Sequence, residues 1–254
     1  MDTISEPCLL AERRGAIAWI TLNRPATRNA LSTAMMTAIE AALEAARDAR
    51  VVVIAGNGPG FCGGHDLREM RANPAPAFQQ ALFAQCSRMM QAIVEHPAPV
   101  IASVHGIATA GGCQLVAACD LAVAAADARF ATSGVNLGLF CSTPGVALAR
   151  VVPRKAALAM LLTGDFIPAS EALALGLVNQ VVPPGELHAA TMALAEKIAA
   201  KDPGAIAIGK RTFHRQVEAP LARAYAIASE AMVENMAAPA TTVAIDAFIN
   251  RKRS

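Results

Sequence analysis

One pattern occurs twice in this chain, and few folds accommodate the repetition. "VVVIAGNGPGFCGGHDL" (51–67) and "VIASVHGIATAGGCQL" (100–115) each read as an apolar strand, a glycine-containing loop and a helix start. "VVVIAG" has no polar alternation, as expected of a strand covered on both faces. Glycine before a helix lets backbone N–H groups approach a negative charge. The question is which charge: a pyrophosphate, or an oxyanion that exists only during a reaction.

Gly58-Pro59-Gly60-Phe61-Cys62-Gly63 formally fits the G-x-G-x-x-G spacing of dinucleotide sites. Such a site needs the motif after the first strand of its fold, with an acidic residue about 20 positions later to hold a ribose. Here a strand and a long helix precede it, and no Asp or Glu occurs between Glu69 and Glu95. A loop that serves only as a tight connection is the plainer alternative. The oxyanion reading uses the doubling. Each loop offers a backbone N–H, and the helix after Gly111-Gly112 adds its dipole. Two N–H groups at about 3 Å from one oxygen form an oxyanion hole.

The rest of the first half alternates strands and helices. "AIAWITLN" (16–23) predicts a strand. Residues 32–49 place Met35, Met36, Ile39, Leu43 and Ala46 on one helical face, with Ser32 as N-cap. A helix is expected over about 77–95, a strand over 99–106, a nearly all-apolar helix over 110–119 and a strand over 121–126. From Pro144 onward the pattern is almost entirely helical, punctuated by Pro153, Pro168, Pro183, Pro184, Pro203, Pro220 and Pro239. The expected architecture is an α/β core over 10–200 followed by a helical region over 201–254, with no low-complexity linker.

Composition excludes several classes. One Trp, one Tyr and a net charge of +2 leave neither stacking platforms nor a broad basic field for nucleic acid. The most apolar window, 107–126, is interrupted by Gln114 and Asp120, so no membrane span is expected. Five scattered histidines lack metal-binding spacing. Six cysteines without C-x-x-C, behind an N-terminus with no apolar leader pattern, suggest reduced thiols in a cytoplasmic compartment.

"LNRPATRNAL", "GFCGGHDLREM", "VHGIATAGGCQLVAACDLAVAAADARFATSGVNLGL", "LLTGDFIPASEALALGLVNQVV" and "IGKRTF" together resemble the enoyl-CoA hydratase/isomerase (crotonase) superfamily over roughly residues 10–252. Within it, "GVNLGLFCSTPGVALARVVPRK" resembles the enoyl-CoA hydratase domain-containing protein 3 subgroup. The resemblance implies a spiral of ββα turns with C-terminal helices that build trimers, often paired into hexamers. It implies acyl-CoA or enoyl-CoA thioesters as ligands, with coenzyme A as part of the substrate and no separate cofactor. The oxyanion hole would be the amides of His65 and Gly111. The loops near Arg24–Arg28 and 62–67, with Arg28, Cys62, Gly64, Asp66 and Leu67, would line the adenosine end. Lys210 would reach the ribose 3′-phosphate, of its own or of a neighbouring subunit; a solvated helix-face lysine is an equal alternative.

The same resemblance exposes a departure. The two glutamates that hydrate an enoyl thioester fall on Gln114 and Gly134, and no carboxylate occurs across Ala128–Arg150. Gln orients water but exchanges no proton near neutral pH. Weak hydration, another enolate-forming step, or an acyl-CoA-binding paralogue with impaired catalysis all follow. Three residues offer partial compensation: the His65 imidazole; Asp66, whose plainer role is to cap the following helix; and Cys141, whose plainer role is a small buried hydrophobe. Asp120, just past its helix, reads as structural, and Gly134 as a possible left-handed turn.

Overall fold

The computed structural model describes residues 6–250, so the end of the helical region expected over 201–254 lies outside the described residues. β1 (Leu9–Arg14) pairs antiparallel with β2 (Ile17–Leu22) through a turn at Gly15, which takes φ 61°. Parallel strands β3 (Val51–Gly56), β4 (Val100–Val104), β6 (Leu121–Ala125) and β9 (Gln180–Val182) extend the sheet in the order β1-β2-β3-β4-β6-β9. A smaller sheet holds β5 (Ile107–Thr109), β7 (Arg129–Ala131) and β8 (Ile167–Pro168) in the order β5-β7-β8.

Between them run α1 (Thr33–Ala45), α2 (Leu67–Ala72), α3 (Pro76–Glu95) and α4 (Gly111–Ala118). Ser32 caps α1, its hydroxyl accepting from the Met35 N–H at 3.2 Å. Met35, Met36, Ile39 and Leu43 turn inward, as the 3.6-residue period predicts. α4 is buried over its entire length, which its lack of charge permits. α5 (Ser142–Val151), α6 (Arg154–Thr163), α7 (Ala169–Leu175) and α8 (Leu187–Ala199) follow, then α9 (Pro203–Gln216), α10 (Leu221–Met236) and α11 (Pro239–Ile249).

β3 explains its own composition. Val52 and Ile54 enter the core shared with α1 and α3, whereas Val51 and Val53 enter a second core on the far face, with Trp19, Ile101 and the α8 residues Leu187 and Ala195. A strand with both faces covered has no position for a polar residue.

The strand expected over 99–106 ends earlier. The chain turns at Gly106 (φ 58°) and continues as β5 in the smaller sheet, so β4, β5 and α4 form one strand–strand–helix turn of a spiral, and β6, β7 and α5 form the next. In the preceding turns the second strand shrinks to single bridges, Leu31 to His65 and Cys62 to Ala108. The segment after Pro144 is not purely helical either: β8 and β9 interrupt it, and β9 completes the large sheet. No described helix is long and apolar enough to cross a membrane, and among the described residues no group of three His, Cys, Asp or Glu is arranged to hold a metal. All six cysteines are free thiols.

Candidate functional site

The first glycine loop is held by a buried side chain that the sequence does not flag. Asn29 Nδ2 donates to the carbonyls of Asn57, Gly60 and Phe61 at 2.9–3.0 Å, and its Oδ1 accepts from the Arg24 N–H at 2.8 Å. Its only sequence signal is an Asn closing the turn "RPATRN", where φ is 55°. Further along, Gly63 N donates to Arg28 O (2.8 Å), Leu31 N to Gly64 O (2.7 Å) and Asp66 N to Leu31 O (3.4 Å). These bonds skip the amide of His65.

The second loop is clamped on both sides. Cys62 N donates to Ile107 O (3.1 Å), Thr109 N to Cys62 O (3.0 Å) and Ala110 N to Ala131 O (2.9 Å). Ala110 takes φ 51°, ψ −116°, a backbone conformation that costs on the order of 1–3 kcal/mol for a residue with a side chain. That turn delivers Gly111 as the first residue of α4 with its amide directed out of the helix end. Among the described residues neither His65 N nor Gly111 N has a hydrogen-bond acceptor.

The two loops meet where both lack side chains. A Cβ on Gly64 would lie 2.9 Å from Ala110 Cβ and 3.0 Å from Gly111 N. One on Gly111 would lie 3.5 Å from Gly64 Cα and 3.3 Å from His65 Nδ1. The doubled motif thus brings two unpartnered amides side by side, which is the requirement for gripping one oxygen.

Around them, the His65 ring packs edge-on against Phe83 of α3, with centroids 5.4 Å apart at 75°. Its Nε2 is buried without a partner. Burial holds its pKa below the usual histidine value, with Glu69 opposing the shift. One turn into α4, Gln114 is 4% exposed, and its Oε1 lies 4.0 Å from Cys86 Sγ. Phe83 and Cys86 on α3, and Gly111 and Gln114 on α4, are spaced i, i+3, so each helix presents one face to the same wall.

The other expected site residues divide. Asp66 caps α2, accepting from Arg68 N (2.9 Å) and Glu69 N (3.2 Å). Arg28 and Leu67 are exposed on the rim beside the first loop, and among the described residues Arg28 has no carboxylate partner. Cys62 requires a correction: it is wholly buried, its Sγ donates to Asn29 O (3.2 Å), and burial pushes the thiol up to about 12. With its N–H and C=O also spent on β5, it has no group left for a ligand.

Lys210 is the second correction. Its Nζ lies 2.7 Å from Asp120 Oδ2 and donates to the carbonyls of Ile93 (3.0 Å) and Ala98 (3.1 Å). A buried ammonium with three acceptors is neither a solvated surface lysine nor available to a ribose phosphate. Asp120 is structural, also accepting from Val100 N at 2.7 Å.

Gly134 corrects a reason. Its φ is not left-handed; a Cβ there would lie 2.4 Å from Leu139 O and 2.8 Å from Cys141 Sγ. Close approach of its own loop, not backbone handedness, requires glycine. Cys141 is buried, hydrogen-bonded to the Gly134 backbone, and its thiol pKa is raised by burial, so it is no activated nucleophile.

With this geometry established, three comparisons bear on it. Residues 12–254 match the family model described as enoyl-CoA hydratase/isomerase. The chain is 47% identical to mouse (Mus musculus) "Enoyl-CoA hydratase domain-containing protein 3, mitochondrial", over 98% of this chain and 84% of the mouse protein. It is 31% identical to a short-chain-enoyl-CoA hydratase of Clostridium acetobutylicum, over 96% and 95% of the two chains. A crystal structure of an enoyl-CoA hydratase from Mycobacterium smegmatis superposes with a TM-score of 0.95 at 52% identity, covering 98% of each chain. The human and rat relatives share the mouse protein's designation. Their being named mitochondrial overturns the expected cytoplasmic location, because reduced thiols alone do not distinguish the two compartments.

Proposed function

The chain belongs to the enoyl-CoA hydratase/isomerase family, and from that premise we propose that it processes acyl-CoA thioesters, the amides of His65 and Gly111 holding the thioester oxygen. The observation that carries this reading is the contact of the two glycine loops at Gly64 and Gly111, next to the unpartnered amides of His65 and Gly111. An oxygen placed there gains most from both donors when it carries charge, so enolate-forming steps on the acyl group are favoured over the ground state. Arg28 and Leu67 on the rim suit the phosphates and the adenine of coenzyme A.

Efficient hydration is not part of this proposal. One positioned acid or base contributes about 10²–10⁴-fold in rate and one oxyanion donor about 10²–10³-fold. The chain keeps the donors, but Gln114 and Gly134 stand where the resemblance puts both carboxylates. The packing of Leu139 O and Cys141 Sγ against Gly134 favours a second reading, a binding paralogue with impaired catalysis.

Titration calorimetry with acyl-CoA thioesters of graded chain length tests the ligand class. Binding of at least one is expected, and silence from all of them at millimolar concentration removes the reading. Mass spectrometry of enoyl-, dienoyl- and malonyl-type thioesters after incubation separates the two alternatives: product supports the enzyme, and tight binding without product supports the paralogue.

A further inference from the structure

Two buried side-chain polar atoms among the described residues have no hydrogen-bond partner, His65 Nε2 and Thr132 Oγ1. Both belong to segments that touch the Ala110–Gly111 turn. His65 Nδ1 lies 3.3 Å from the position of a Gly111 Cβ, and Thr132 follows Ala131, whose carbonyl accepts from Ala110 N at 2.9 Å. Buried polar groups are nearly always paired, so two orphans flanking one turn mark a place built for a further polar contact. His65 is the only one of the pair that exchanges protons near neutral pH.

The surroundings leave the imidazole as a base. Glu69, on α2, is the charged group that acts on it, and its carboxylate is already committed to Thr33 N (2.9 Å) and Thr33 Oγ1 (2.5 Å). α3 contributes the Phe83 ring and, one turn on, the Cys86 thiol, which burial pushes up to about 11 and so keeps neutral. α4 contributes Gly111 and the uncharged Gln114. Of these groups the imidazole alone is both uncommitted and able to exchange a proton near neutral pH.

We propose that the His65 imidazole is the proton-transfer group of this site, acting on acyl thioesters that bear a hydrogen on Cα. Nε2 takes that proton, the C–H electron pair moves into the carbonyl, and the enolate oxygen so formed rests on the amides of His65 and Gly111. The imidazolium returns a proton to Cα, restoring the thioester and the neutral ring. No oxidant, reductant or further reactant is needed. Cα is two bonds from the held oxygen, so one residue supplies both the amide and the base. This inference rests on the acyl-CoA reading above.

Deuterium uptake at Cα of butyryl-CoA in D₂O, followed by mass spectrometry, reads the step directly. The unmodified protein is expected to exchange. His65→Ala and His65→Gln both keep the amide and are expected to lose at least about 100-fold in exchange rate, the low end for one general base. Calorimetric affinity for butyryl-CoA should stay within a few-fold, because the oxygen is held by the backbone. The rate of the unmodified protein should rise with pH to a plateau, with its midpoint below about 6.5, since only the neutral ring accepts a proton. Binding without exchange, an exchange rate that falls as the pH rises, or variants that exchange like the unmodified protein would each overturn the role of His65 while leaving the ligand class standing. Failure of butyryl-CoA and its homologues to bind would instead bring down the acyl-CoA reading and this inference together.

Discussion

Single residues decide how much of the expected chemistry this chain retains. Gln114 is buried at the start of α4 with only the Cys86 thiol near its oxygen, so a glutamate there would be held protonated by burial and able to donate. Gln114→Glu is therefore expected to raise crotonyl-CoA hydration by about 10²-fold from a low starting rate. A turnover of the unmodified protein near 10³ s⁻¹, the top of the ordinary range, would show that another group already does this work. The same gain is not available at Gly134. Even Gly134→Ala places a methyl 2.4 Å from a carbonyl oxygen, and overpacking of that kind costs about 1–3 kcal/mol, measurable as a lower urea midpoint. His96 carries a separate consequence. Its Nδ1 accepts from Ala98 N and its Nε2 donates to Leu43 O, both at 3.1 Å, and burial lowers its pKa. A folded-state pKa below the unfolded value contributes stability above about pH 6.5 and loses it as the pH falls toward the folded value. His65 shifts the same way. The urea midpoint should thus decline below about pH 6.5, and less steeply in His96→Gln; an unchanged slope in that variant would assign the loss elsewhere.

At the scale of elements, a buried ion pair ties α9 to the core. Lys210 and Asp120 side chains are 7% and 15% exposed, and His214 lies 3.4 Å from the other carboxylate oxygen. Removing one partner strands the other charge, at a cost of about 3–5 kcal/mol. Lys210→Met should accordingly speed amide exchange in α9 and α10 before the large sheet, with Asp120→Asn recovering part of the loss in the double variant. Uniform acceleration across the sheet would contradict a local attachment. This pair also shows what was legible beforehand. The Asp66 and Ser32 caps could be read because their partners lie two or three residues away, and β3 and α3 because their apolar patterns run for 6 and 20 residues. Lys210 could not: its partner is 90 positions distant, and "IGKRTF" reads as an ordinary helix face. Asn29 was hidden for the same reason, since its three carbonyl partners come from residues 57–61. β7, β8 and β9 span only two or three residues, too short for any period to register, and β1 is mostly exposed, so hydrophobicity does not mark it. At the site, the doubled loop motif was visible, but which amides it leaves unpartnered is a matter of three-dimensional hydrogen bonding.

Among the described residues, apolar side chains stand exposed in two sets on the C-terminal half. Along α10 only Ile227 is buried, while Leu221, Tyr225, Met232, Val233 and Met236 are exposed, and α11 adds Val243, Phe248 and Ile249. A second exposed set, Leu137, Leu139, Phe140, Val146, Leu158 and Leu162, runs from the segment beside Gly134 onto α5 and α6. Monomeric proteins rarely expose contiguous apolar patches beyond a few hundred Å², and association removes such area at roughly 25 cal/mol per Å² before its entropic costs. We therefore propose a closed homo-oligomer that covers these faces, with the trimer or pair of trimers that the resemblance implies. The interface cannot recruit Lys210 to a neighbour's ligand, because its ammonium is already spent within its own chain. Light scattering at micromolar concentration should give three or six times the 26.2 kDa chain mass. Val233→Lys together with Met236→Lys sets charge in the middle of the α10 face without touching a core position, and should shift the mass toward the monomer while the helical signal persists. An unmodified protein that runs as a monomer, or a double variant that assembles like it, would show that this face is not what the oligomer buries.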